Sequence, residues 1–385
     1  MPDHMDGKSR STSVLAQTLG SGRRSPSVCE SRTQTREWLG FRADAEGAKR
    51  QNRNTSASST SLRNLALALE TLSADRRALL VGSAALATAT LLLPSASRAT
   101  GTAFVSEVAP GVFVHQGVHA LFAPDNKGNI SNAGFVVGND SVAVIDTGGS
   151  VIVGQQLHDA IRSLTDRPVR YVINTHMHPD HIFGNAAFKT ENTVFAAHHK
   201  MARGLAARAG RYLERNKDLL GEEAFRGIEI VMPNQGVEAL TKLDLGGRIL
   251  ELSPQKTAHT DNDLTVRDVA TDTVFLGDLL FSGHVPTIDG SIRGWIAVMD
   301  QLASQPAARV VPGHGPASLD WPSGADPLRH YLTTLATDIR ALIKSGKTIS
   351  DAMAGAGQSE KNAWQLFDDY NARNASAAFA ELEWE

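Results

Sequence analysis

The sequence predicts an α/β chain folded as an αββα sandwich, two sheets face to face with helices outside. Two observations carry this expectation. Apolar strand-like runs recur in pairs separated by stretches of helical periodicity, the pattern of layered sheet and helix. The residues with metal-binding chemistry stand at the ends of those runs, beside glycine or another small residue, where a rigid strand can aim them from the sheet edge.

The elements follow in order. Val112–His115 reads as a short strand. Ala133–Val137 and Val142–Asp146 read as two strands joined by Gly138-Asn139-Asp140-Ser141, a hairpin-turn composition. Ser150 caps a helix to about Leu164, with Leu157, Ile161 and Leu164 on one face. Val169–Asn174 is the next strand, followed by a His-rich turn and a short helix from about His181. Thr193–Ala197 is a strand and Lys200–Asn216 a helix. Later strands are expected at Ile228–Met232, Arg248–Ser253, Asp263–Asp268 and Thr273–Leu276. Arg329–Lys344 is amphipathic through Leu332, Leu335, Ile339, Leu342 and Ile343. Another helix starts at Thr348, and Asn362–Glu385 reads as helical.

Composition sets bounds. With 42% hydrophobic and 21% charged residues, the 385-residue chain is globular in character. The net charge of −3 hides a basic first 99 residues and an acidic remainder, which argues against a nucleic-acid-binding body. The single cysteine, Cys29, excludes an intramolecular disulfide and a CxxC site. Residues 1–60 are rich in Ser, Arg and Thr and are expected to be disordered. Within 61–99, Asp75-Arg76-Arg77 opens an uncharged run from Ala78 to Leu93. That run is shorter than the roughly 20 residues of a membrane span, and Ser97-Arg98-Ala99 follows it. The arrangement is similar to a twin-arginine export signal cleaved after Ala99, which implies a periplasmic protein without stable membrane insertion. A signal this deep in a chain leads to the expectation that translation starts after Met1. The domain reading is completed by a hydrolase domain at 100–324 and a helical extension at 325–385.

The richest stretch is Thr175-His176-Met177-His178-Pro179-Asp180-His181. Imidazole nitrogens and carboxylate oxygens are good zinc ligands, and a turn after a strand can aim alternate residues at two neighbouring ions. Matching residues appear downstream: His259 in Ala258-His259-Thr260, Asp278 after Phe275-Leu276-Gly277, and His314 in Pro312-Gly313-His314-Gly315. Asp146 ends a strand upstream, before Thr147-Gly148-Gly149. The loop Gly117–Asn132 is placed to cover a cleft.

From Val112 to Pro316 these motifs resemble, in order, those of the metallo-β-lactamase superfamily of binuclear zinc hydrolases. The resemblance implies that His176, His178 and His259 hold one zinc and that Asp180, His181 and His314 hold a second. It implies further that Asp278 bridges the two and that Asp146 orients the ligand loop from behind. It also implies two Zn2+ (or another divalent metal) sharing a hydroxide that attacks a small-molecule substrate, with Asp180 as both ligand and catalytic group. Activity is then expected to fall in acid as the histidines protonate. The largest subclass of true zinc β-lactamases has cysteine where this chain has Asp278. The carboxylate pattern is shared with thioesterases, lactonases and phosphodiesterases. His178 argues against a diiron redox protein, and the basic C-terminal clamp of hydroxyacylglutathione hydrolases is not visible. Val114–His119, Asp125–Asn132, Gly283–Trp295 and Leu382–Glu385 resemble exported zinc metallohydrolases linked to quinoprotein dehydrogenase systems. The expected activity is hydrolysis of a small ester, thioester or lactone. The alternatives are a zinc β-lactamase or a metal-binding accessory protein.

Several residues carry weaker expectations. His119 and His284 are candidate substrate contacts, and Phe122 and Asn132 candidate cleft residues. Trp295 shares a helical stripe with Ile292, Met299 and Leu302 and reads as core. His198 and His199 follow a strand that passes near the metals, without being ligands. Arg203, Arg208, Arg211 and Arg215 read as a solvated helix face.

Overall fold

A computed structural model describes residues 104–385. The segments 1–60 and 61–99, and with them Cys29, lie outside the described residues.

The first sheet holds seven strands in sequence order: β1 (Ser106–Ala109), β2 (Val112–His115), β3 (Ala133–Val137), β4 (Val142–Ile145), β5 (Val169–Asn174), β6 (Val194–His198) and β7 (Gln235–Val237). The pairs from β1 to β4 are antiparallel. Those from β4 to β7 are parallel, so β4, β5 and β6 release their C-terminal ends along one edge. The helices α1 (Val151–Leu164), α2 (Pro179–Ile182) and α3 (Met201–Phe225) lie between these strands in the chain. The second sheet comprises β8 (Thr241–Asp244), β9 (Ile249–Pro254), β10 (Leu264–Asp268), β11 (Thr273–Phe281) and β12 (Arg309–His314). Its order is β12-β11-β10-β9-β8. α4 (Ile292–Ala303) joins β11 to β12, whose pairing is therefore parallel. α5 (Asp326–Lys344), α6 (Ile349–Gly355) and α7 (Phe367–Leu382) end the chain.

The layers follow from which faces are apolar. Val112, Val136, Ile145 and Ile173 of the first sheet meet Leu250, Leu264, Val266 and Phe275 of the second. Leu157 and Ile161 of α1 cover the other face of the first sheet, against Phe135, Val144 and Val172. Trp295 of α4, Leu328 and Leu335 of α5 and Phe379 of α7 cover the second sheet over Leu276, Leu279 and Phe281. Each such side chain contributes roughly 1.5–3 kcal/mol by leaving water. The expected αββα sandwich is therefore present. Residues 325–385 share one apolar cluster with the second sheet, so they are continuous with that layer.

Local signals explain most boundaries. The Ser150 side chain accepts from the Val153 amide and caps α1, and Thr348 and Asp351 form a capping box at α6. Pro179 occupies the first turn of α2, so that helix begins before His181. α3 runs on to Phe225, interrupted at Gly221 with φ 71°. The strand expected at Ile228–Met232 does not form. Pro233 has no N–H to give to a ladder, and pairing with β6 starts only at Gln235. Val231 instead drops into the core beside α1. The tail helix begins at Phe367, later than expected, because Gln365 is bonded by backbone to Gly283 and Val285.

Candidate metal centre

Every predicted ligand but Asp278 comes from a strand end or the turn beyond it; the strand expected to end near Asp278 runs on to Phe281. His176, His178, Asp180 and His181 follow β5. His259 lies between β9 and β10. Asp278 sits in β11 where its pairing with β12 is irregular, and His314 ends β12. Gly277, next to Asp278, adopts φ 53°, a conformation glycine takes without strain. Gly313 leaves room for the Asp278 carboxylate, which a Cβ there would strike.

The seven side chains converge as two groups sharing one carboxylate. His176, His178, His259 and Asp278 form the first, and Asp180, His181, His314 and Asp278 the second, each with potential ligand atoms within 4.8 Å of one another. Asp278 faces both ways. Its Oδ2 lies 3.3 Å from His259 Nε2 and 3.6 Å from His176 Nε2. Its Oδ1 lies 3.0 Å from His181 Nε2 and 3.4 Å from His314 Nε2. Asp180 Oδ2 is 3.2 Å from His314 Nε2 and 3.4 Å from His181 Nε2.

The nitrogens facing away from the centre are occupied, which sets the tautomers. His259 Nδ1 donates to the Thr287 carbonyl (2.7 Å) and His314 Nδ1 to the Ile130 carbonyl (2.8 Å). His181 Nδ1 donates to Asp146 (2.9 Å), and His178 Nε2 donates to Asp289 (3.0 Å). Asp146 also accepts from the Thr175 amide (2.8 Å) and hydroxyl (2.7 Å), in the left-handed conformation at φ 56°. That hydroxyl lies 3.1 Å from His176 Nδ1. One carboxylate therefore bonds both ends of the ligand turn.

This donor set fits divalent metal. The buried His176 Nε2, His181 Nε2 and Asp278 Oδ1 have no hydrogen-bond partner. His178 Nδ1 and His259 Nε2 lie 2.9 Å apart with their opposite nitrogens already donating, so two lone pairs are aimed at one point. Buried polar atoms are almost always satisfied, and a cation satisfies all of these together. Four imidazole-rich, thiol-free ligands per group suit zinc and similar metals.

The two groups differ in charge. Burial pushes His176 well below its ordinary value and His259 down to about 3. Burial acts in the same direction on His181 and His314, but Asp278 and Asp180 overcome it. His181 is raised well above its ordinary value and His314 to about 9. Against the effect of burial, the neighbouring His181 and His314 hold Asp180 and Asp278 well below the usual carboxylate range.

The remaining candidates sit around this centre. The His284 ring lies 4.8 Å from that of His314 and 5.7 Å from that of His119, so both flank the second group. Burial pushes His284 down to about 3, and its Nδ1 donates to the Val285 carbonyl. Asn132 anchors the covering loop through Gly117, Pro312 and Gly315, and Phe122 packs against Gly128 and Gly149. Trp295 is core, its indole donating to the Leu279 carbonyl and its ring 5.2 Å from that of His259. His198 and His199 stack on each other and join neither group. Arg208 departs from the expected solvated face, because it pairs with Asp289. Asp289 itself was not expected. The available signal was that it is the only carboxylate between Asp278 and Asp300, in the loop leading to α4. Tyr370 was also missed. Its ring stacks 5.9 Å from that of His284, and burial, with Asp180 adding, raises its phenol to about 12.

Known proteins resemble parts of this chain. A 55-residue stretch is 36% identical to a linear primary-alkylsulfatase from a Pseudomonas species, 14% of this chain and 10% of that relative. The chain thus spans about a tenth of the curated relative it matches. The solved stereoselective inverting sec-alkylsulfatase Pisa1 from Pseudomonas aligns with a TM-score of 0.52 at 15% identity, over 72% of this chain and 50% of that one. A metallo-beta-lactamase from Pontibacter korlensis aligns with a TM-score of 0.48 at 20% identity, over 60% of this chain and 98% of that one. Residues 126–314 match the metallo-beta-lactamase superfamily, and all seven converging side chains and Asp146 lie within that stretch.

Proposed function

We propose that this chain is a binuclear zinc hydrolase of a small ester, thioester or lactone, exported to the periplasm. The observation that carries the reading is the shared carboxylate: Asp278 presents one oxygen to each histidine group. When bound, zinc supplies acidification of water to a pKa of about 7 and polarisation of the substrate oxygen.

The chain's own residues divide the remaining work. Asp278 is sealed, with its side chain 4% exposed, and acts as a fixed anionic floor. Asp180 is 14% exposed and His178 15%, so the centre opens on their side. Asp180 is the carboxylate that water and substrate can reach, and, held ionised by His181 and His314, it orients the proton of the attacking water. His119, His284 and Tyr370 line the flank where the substrate's leaving group would sit. The carboxylate of Asp278, where the largest subclass of zinc β-lactamases has cysteine, favours esters, thioesters and lactones over β-lactams.

A second reading is hydrolysis of an alkyl sulfate ester, favoured by the 55-residue likeness to the linear primary-alkylsulfatase. The kinship with hydrolases of quinoprotein-linked oxidation systems rests on the loop stretches quoted above, and the periplasmic location on Arg76-Arg77 and the run to Leu93. Cell fractionation, with Arg76 and Arg77 both changed to Lys as the control, tests the location.

The deciding experiment is turnover by the zinc-loaded protein on esters, thioesters, lactones, alkyl sulfates and β-lactams. Hydrolysis of one class, abolished by Asp180→Asn, is the expected result. Bound zinc with no turnover of any class would leave an accessory protein, and a predominance of iron would point to redox chemistry.

A further inference from the structure

The loop from Pro286 to Ile292 joins β11 to α4 and belongs to no sheet, yet it orients two of the ligands. The Thr287 carbonyl accepts from His259 Nδ1 (2.7 Å), and the Asp289 amide donates to the His259 carbonyl (3.0 Å). The Asp289 carboxylate accepts from His178 Nε2 (3.0 Å). Both ends of this loop are held by α7. Asn374, fully buried, accepts from the Ile288 amide (2.9 Å) and donates to the Pro286 carbonyl (2.6 Å) and the Tyr331 hydroxyl (3.0 Å). Glu381 accepts from the Ser291 hydroxyl (2.7 Å) and the Ile292 amide (2.8 Å).

We propose that α7 is a positioning element for the first ligand group, with Asn374 as its key residue: by fixing Pro286–Ile288 it sets the ring orientations of His259 and His178. Asn374 and Glu381 lie outside the superfamily match, which ends at residue 314. α7 bonds no support of the second group and reaches it only through the Tyr370 ring stacked on His284 beside His314. The supports of that group are Asp146, the Ile130 carbonyl, and Ser131, whose hydroxyl donates to the Asp180 carbonyl. A ring turned a few tens of degrees no longer points its lone pair at the ion, so an outer partner changes affinity without touching metal. The inference rests on the metal-binding reading above.

The test is Co(II) titration of the full chain, followed by its visible absorption and by competition with a chelator. His259→Ala and His314→Ala identify which binding step belongs to which group. Asn374→Ala is expected to weaken the step lost in His259→Ala by roughly tenfold, to alter its absorption band, and to leave the other step in place. Asn374→Asp keeps the acceptor for Ile288 and is expected to fall between Asn374→Ala and wild type. Asn371→Ala is the stability control. It is one turn away and buried, and it bonds Ala356 and Tyr331 but not the loop. It is expected to lower the melting temperature without altering either step. If Asn374→Ala does not fold, Asn374→Asp against Asn371→Ala decides. Equal effects of the Asn374 and Asn371 variants, equal weakening of both steps, or no weakening at all would overturn the proposal while leaving the hydrolase reading intact. A wild-type chain that takes up no Co(II) would overturn both.

Discussion

The two ligand groups share Asp278 and differ in almost everything behind it. The first is backed by the second half of the chain: Thr287, Asp289 and, beneath His259, Trp295. The second is backed by the first half: Asp146, Ile130 and Ser131. The first has three imidazoles and the shared carboxylate, and burial keeps His176 and His259 neutral. The second has a carboxylate of its own, and His181 and His314 hold protons strongly. The same residue types thus form a site ready to accept a cation and a site that must first release protons.

The largest expected effect removes what the groups share. Asp278→Ala should abolish uptake of both ions, a loss beyond the roughly 100-fold typical of outer partners. Retention of two equivalents by metal analysis would break the comparison at its root. Next are the separate supports. Asp146→Ala should weaken the second group, and His176 with it, by roughly 10- to 100-fold. Asp289→Ala should weaken only the first, by a similar factor. Calorimetric zinc titration of both variants checks the split, and an identical response from the two would erase the distinction.

Acidity separates the groups next. Zinc must displace a proton held at about 9 on His314, whereas His259 gives up its own near 3. Through His314, affinity of the second group should therefore fall about tenfold for each pH unit below 9, and the proton held on His181 should steepen the fall. The first group should hold its ion as His259 stays neutral. Proton release on zinc binding, measured in buffers of different ionisation enthalpy, reads this directly. The sign for stability runs the other way. The raised His314 stabilises metal-free protein fully below the unfolded value of about 6.5. That contribution is lost as pH rises through 9. Chelator-treated protein should accordingly lose melting temperature on that limb more steeply than zinc-loaded protein.

The smallest effect concerns Arg208. Its ion pair with Asp289 is partly exposed, so Arg208→Leu should cost at most about 1 kcal/mol of stability. Asp289 itself keeps its bond to His178, so zinc affinity in the first group should change less than in Asp289→Ala.

Much of this molecule was legible before any coordinates. Val144-Ile145-Asp146 and Val169–Asn174 announced strands by their mostly apolar character, and the ligand turn followed directly. Short edge strands such as β1, β7 and β8 escaped notice, because three or four half-buried residues carry little periodicity. Ile228–Met232 read as strand through its apolar residues, although Pro233 just beyond it has no N–H to give and pairing with β6 starts only at Gln235.

The amino-acid sequence alone determined the sandwich and offered the seven side chains and Asp146 as motifs, whose grouping only the family resemblance implied. Each motif is local: a strand, a turn and a ligand type lie within a few residues of one another. Only the tertiary structure decided which histidines are neutral and which are charged, since that balance depends on burial and on carboxylates from other strands. It alone joined Asp289 to His178, Tyr370 to His284, and α7 to the ligand loop. Those contacts link residues about a hundred positions apart or nearly so, and no spacing rule encodes a meeting that sheet and helix packing creates.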